Sequence, residues 1–158
     1  MLYATLKITH LLAVIVWLGG MVFAHFFLRP AVASLAPHER VTLMHAVLGR
    51  FFSAVLWAAS AVLVSGVWMI GRVTMQTVQA GAHFTLPLEW LVMAALGLMM
   101  VGIFGSIRFT LYPGLTRAVA AADWPAGAAV LGRIRHWVAL NLVLGTVIVV
   151  VTLAGVSS

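Results

Sequence analysis

Four stretches of this chain are long enough to cross a bilayer and carry no Asp, Glu, Lys or Arg. A helix rising 1.5 Å per residue needs roughly 20 apolar residues to span a hydrocarbon core of about 30 Å. Between Lys7 and Arg29 lie 21 uncharged residues, Ile8 to Leu28, and between Arg50 and Arg72 another 21, Phe51 to Gly71. Between Glu89 and Arg108 lie 18, Trp90 to Ile107, and after Arg135 lie 23, His136 to Ser158. Lipid leaves only helices or closed barrels as spanning structures, because every backbone group must be satisfied internally. Runs of this length are too long for the short alternating strands of a barrel. They predict transmembrane helices near 3–28, 47–72, 88–112 and 135–156, an all-α integral membrane bundle of four spans in a single domain. With 64% hydrophobic and 8% charged residues, the chain cannot cover a soluble globule, which carries about 25% charge. Cysteine is absent, which excludes disulfides, thiolate metal sites and cysteine nucleophiles.

Local signals mark the span ends. Pro30 and Pro113 read as stops after the first and third spans. Pro37 suits the first turn of a helix that leads through His38 and Glu39 into the second span and reaches Arg72. Residues 75–83 are the most loop-like segment, and Trp124-Pro125-Ala126-Gly127 reads as a break before the last span. The first run is expected to be an uncleaved helix rather than a signal peptide, since it is long for a signal core and three more spans follow.

The net charge of +6 acquires a meaning once its residues are placed. Arg29, Arg40 and Arg50 lie in or beside the first connection, and Arg108, Arg117, Arg133 and Arg135 in or beside the third. Only Lys7 and Arg72 fall on the other side. The positive-inside rule then puts both basic connections in the cytoplasm and both termini in the periplasm. With no soluble face to host it, the excess charge is not a nucleic-acid patch.

The chain also repeats itself at an offset of 83 residues. Ala46-Val47-Leu48-Gly49-Arg50 recurs as Ala129-Val130-Leu131-Gly132-Arg133, and Phe26-x-Leu28-x-Pro30 recurs as Phe109-x-Leu111-x-Pro113. Two copies of a helical hairpin, about 1–75 and 84–158, follow, related in parallel about an axis along the membrane normal. The histidines stand outside this shared pattern: His10 maps onto Met93, His25 onto Arg108, His45 onto Ala128, and His136 onto Ser53.

Ionisable residues within spans usually face a bundle interior and mark a functional path. His10 lies in the outer half of the first span. His25, His45 and His136 are expected near one level at the basic end. Imidazole ligates haem iron and copper, so His10, His25, His45 and His136 are the candidate ligands of a haem b held between helices, with Arg50 and Arg108 as partners for its propionates. His38 and His83 read as interfacial. An alternative set, His10, Met21, His25 and Met93, would suit copper, since thioethers favour Cu(I). Paired carboxylates, phosphate loops and Ser-His-Asp orders are not seen, so any catalysis, as in a haem-dependent membrane oxidoreductase, would come from a cofactor.

The segment Lys7-Ile8-Thr9-His10-Leu11-Leu12 followed by Trp17-Leu18-Gly19-Gly20 resembles the first helix of the CopD-like (copper resistance protein D) family of bacterial membrane proteins. The related HemJ-type protoporphyrinogen oxidases open with a similar pattern. The similarity continues at Glu39-Arg40, Met44 and Arg50, and at His136-Trp137. The resemblance implies a bacterial inner-membrane protein concerned with copper or with haem b, and His10 would be the shared histidine of the first helix. The chain departs from the HemJ pattern where Leu91-Val92-Met93-Ala94-Ala95 follows Trp90, because a lysine is expected there. The expected function is haem-based electron transfer, linked to a quinone or a redox partner protein. Copper transport or binding, which would need a homo-oligomer in so short a chain, and a structural subunit role are the alternatives.

Overall fold

The computed structural model describes residues 2–81, 83, 85 and 87–156; the last two residues of the fourth uncharged run lie outside it. The described residues are helical almost throughout. Four helices are long and apolar enough to cross a membrane: α1, Leu2–Ser34; α2, Pro37–Gln79; α3, Leu88–Ala120; and α4, Trp124–Val156. α2 has 43 residues, about 65 Å at 1.5 Å per residue. It therefore projects well beyond a hydrocarbon core of about 30 Å.

All four helices outrun the uncharged stretches, and the two prolines expected to be stops are not. α1 continues through Pro30 to a short 3-10 turn at Val32–Ser34. α3 continues through Pro113 to Ala120. A helical proline lacks an N–H, and its ring presses on the carbonyl four residues earlier. Here the turn just before each proline widens into a π-helix, Phe23–Leu28 in α1 and Ile107–Leu111 in α3. The wider turn takes the strain off the carbonyls of Phe26 and Phe109, which are equivalent positions of the repeat.

The true breaks sit where capping chemistry allows them. α2 begins with Pro37 in its first turn, and the Glu39 carboxylate accepts a hydrogen bond from the Ala36 N–H at 3.2 Å. The predicted break at Trp124–Gly127 is instead the first turn of α4. The chain turns one step earlier, at Ala122, whose φ of 52° is left-handed. Asp123 then caps α4 by accepting from the Ala126 N–H at 3.0 Å. Residues 75–79, expected in a loop, complete α2.

α1 packs along α2 and α3 along α4, with α4 also touching α1 and α2. An aromatic cluster ties the pairs together. Trp17 of α1 meets Phe104 of α3 edge-on at 6.0 Å between ring centroids, and Phe52 of α2 meets the same ring at 6.2 Å. Close approach depends on small residues: a Cβ on Gly20 would overlap the Phe51 ring, and one on Gly145 would press on Leu18. The outward faces carry large apolar side chains such as Trp57, Val67, Phe27 and Phe109, as a lipid-facing surface requires.

Candidate functional site

Among the described residues, two partly open cavities are of interest. The first, about 190 Å³, lies in the half away from the arginine-rich connections and is lined almost wholly by apolar atoms. Its polar contributor is His10 from α1, with Met93, Gly97 and Met100 from α3 and Trp17 beside them. The glycines on its wall, Gly66, Gly97 and Gly145, hold no side chain that would fill it. Met93 is the repeat equivalent of His10, so the two halves of the chain place an imidazole and a thioether on the wall of one space.

His10 is anchored from behind. Its Nδ1 lies 3.0 Å from the Oγ of Ser65, a buried residue of α2. The single Ser65 hydroxyl proton is directed to the backbone carbonyls of Ala61 and Val62. The hydroxyl oxygen is then free to accept, an arrangement that suits the neutral tautomer with its proton on Nδ1. That leaves the lone pair on Nε2, the tautomer a metal-binding imidazole needs.

The second cavity, about 260 Å³, lies at the arginine-rich end, lined by His25 and Arg29 of α1, Arg40, Met44 and Leu48 of α2, and Arg135 of α4 among others. Glu39 and Asp123, the acidic residues nearest in sequence, are engaged in the helix caps described above.

The remaining predicted residues are dispersed. His45 turns to α3, where its Nε2 lies 3.0 Å from Thr116 Oγ1 and its ring stacks on Tyr112 at 5.2 Å. Thr116 donates to the Tyr112 carbonyl, which leaves its oxygen free to accept from His45. Arg108 lies over the rings of Tyr112 and Phe109, 5.5 and 5.7 Å from their centroids. Arg50 and His136 are exposed. Met21 is buried in the packed core, lining neither cavity.

Each cavity thus has one histidine on its wall, and no three His, Asp or Glu side chains converge among the described residues. A porphyrin held by two axial histidines needs both to face one slot. Neither cavity reaches the roughly 300 Å³ of even a small ligand pocket. The side chains as arranged do not fit a haem b.

Residue spacing had not pointed to Ser65, Arg29 or Arg40. Arg29 was accessible to that reasoning, since it stands four residues after His25 on the same span. Ser65 was not, because its partner lies 55 residues away.

Tyr112 supplies one test of the packing. Its hydroxyl donates to the His45 carbonyl at 3.2 Å and occupies the space a Cβ on Gly49 would fill. Gly49→Val is expected to lower stability by about 1–3 kcal/mol through overpacking, read as earlier thermal unfolding in detergent. An unchanged melting temperature would show that Tyr112 is free to move aside.

Apolar helices of this length, joined by an aromatic core and enclosing two small cavities, define a multi-pass helical membrane protein. The copper resistance protein D (CopD) family model matches residues 45–155, and the chain belongs to that family. The matched residues begin at His45 and so leave out the His10 segment. No curated protein and no solved structure matches the chain.

Proposed function

We propose that this protein handles copper inside the bacterial inner membrane, taking Cu(I) as cargo in the apolar cavity between His10 and Met93. The observation that carries this reading is the placement of those two residues, repeat equivalents on α1 and α3, on the wall of one cavity. Imidazole and thioether are ligands suited to Cu(I), and Met100 on the same wall offers a second sulfur. Membership of the copper resistance protein D family supports the same metal. The excess of arginine at the other end orients that end to the cytoplasm, so the His10 cavity opens nearer the periplasm, where both termini lie. No acid–base pair lines the cavity, and the role is binding and passage rather than catalysis.

The test is a preparation in detergent, loaded with Cu(I) under reducing conditions, washed, and analysed for metal and for absorption in both oxidation states. Stoichiometric copper without a Soret band is the expected result. A Soret band with sharp reduced α and β bands would establish haem b and electron transfer instead, with the helices parted further than here. Retention of neither would indicate a structural subunit of a larger membrane complex.

A further inference from the structure

The two halves of the repeat differ at the arginine-rich end in what fills one niche. In the second half, Tyr112 fills a niche walled by His45, Gly49 and Phe52. It stacks on His45 at 5.2 Å, meets Phe52 edge-on at 5.5 Å, and lies against Gly49. The offset of 83 residues carries these four positions onto Arg29, Ala128, Gly132 and Arg135. All four line the cavity of about 260 Å³. The same architectural niche is plugged by aromatic side chains on one side of the bundle and left open on the other. Where Tyr112 covers Gly49, nothing lies within 4 Å of a Cβ built on Gly132. The aromatic pair Tyr112 and Phe52 is replaced by a pair of guanidinium groups.

That open niche gathers positive charge without compensation. Arg135 and Arg40 both act on Arg29 as like charges, and His25 joins them on the wall. Neither an aspartate nor a glutamate is among the lining residues. Nη1 of Arg29 is buried and has no hydrogen-bond partner. A buried guanidinium N–H left unpaired is unfavourable, and three arginines held together repel unless an anion lies among them. Arginine forks match the oxygens of a phosphate group bidentately. The rest of the wall, including Val32, Met44, Leu48 and Val138, is apolar, so the niche offers both a cationic head and a greasy side.

We propose that this niche is a binding site for a phosphate group, clamped by Arg29, Arg40 and Arg135. The group belongs either to an anionic phospholipid or to a free phosphate. The site is independent of the copper reading, since it shares no residue with the His10 cavity.

The full chain, purified in a maltoside detergent and stripped of lipid, is titrated separately with phosphatidylglycerol and with inorganic phosphate, and binding is read by native mass spectrometry. Saturable binding of one molecule per chain is expected, weakened at least about tenfold in Arg29→Gln/Arg135→Gln, since two charge-assisted contacts are removed. Binding of phosphatidylglycerol that inorganic phosphate does not displace assigns the site to lipid; binding of inorganic phosphate alone assigns it to the free ion. A second variant, Arg29→Tyr/Arg135→Phe, copies the plugged niche of the other half and so keeps a packing this fold already accommodates; it should also lose binding. Arg72→Gln, a basic residue of the opposite end, should bind as the native chain does. The proposal is overturned if neither probe binds, or if either double variant elutes as a folded protein and binds both probes as well as the native chain.

Discussion

Replacing Phe52 with alanine is expected to lower the unfolding free energy by about 2–3 kcal/mol, the cavity part of the cost of deleting a buried aromatic side chain. Phe52 is 1% exposed. Its ring meets Phe104 at 6.2 Å and Tyr112 at 5.5 Å, both edge-on, and Phe51 at 5.9 Å. Lipid tails are as apolar as the side chains they would replace, so burial from water contributes little to helix association here. The loss is therefore one of packing, since α2 touches α3 through this ring. Unfolding in mixed micelles, followed by tryptophan fluorescence, measures the effect, because Trp17 sits in the same cluster through Phe104. Phe52→Leu keeps most of the volume and should cost about 1–1.5 kcal/mol. A loss below about 1 kcal/mol for the alanine variant would mean that the hairpins are joined elsewhere.

Copper retention should respond in a graded way to changes around His10. His10→Ala removes the nitrogen ligand and is expected to abolish retention of Cu(I) in washed protein. Ser65→Ala leaves the ligand but removes the hydroxyl beside its Nδ1. Losing such an orienting partner typically lowers metal affinity by about 10–100-fold. Met93→Leu preserves volume while deleting sulfur, so its effect should fall on copper and not on the melting temperature. The grading matters more than any single value. If His10→Ala retains copper as the native chain does, the cavity is not the site. If Ser65→Ala matches the native chain while His10→Ala does not, the tautomer argued from the serine is irrelevant to binding.

Much of the architecture was legible before any coordinates. Four uncharged runs are hard to read otherwise, and α1 to α4 follow from them. α1 and α3 run past Pro30 and Pro113, the residues that the sequence marks as their stops, whereas α4 reaches Val156, where the sequence places the end of the fourth span. Inside a long helix a proline removes one hydrogen bond and presses on the preceding turn, and a widened turn ahead of it lets the helix continue. The FxLxP repeat was the visible trace of that device. The sites were less legible for a geometric reason. Spans that are apolar all round give no periodicity from which to read rotation about their axes. His25, His45 and His136 share a level by residue count, yet only His25 lies on a cavity wall. His10 was picked out because it lies deep in a span, where an ionisable group needs a reason. That it shares a cavity wall with Met93 agrees with their equivalence in the repeat.

The π segments have one more effect. In a regular α-helix, every fourth residue precesses by about 40° around the axis, so a row of such positions drifts off its face within a few turns. A π turn holds more residues, and a step of four within it falls short of a full circle. The drift is thereby partly wound back. Along α1 the row Ala13, Trp17 and Met21 is buried, and it runs on into His25 and Arg29 on the wall of the arginine-rich cavity. Along α3 the same row runs through Met100 and Phe104, both buried, to Arg108 and Tyr112. Each segment works as a phase corrector, keeping the aromatic centre of the bundle and the charged groups at its end in angular register along one helix.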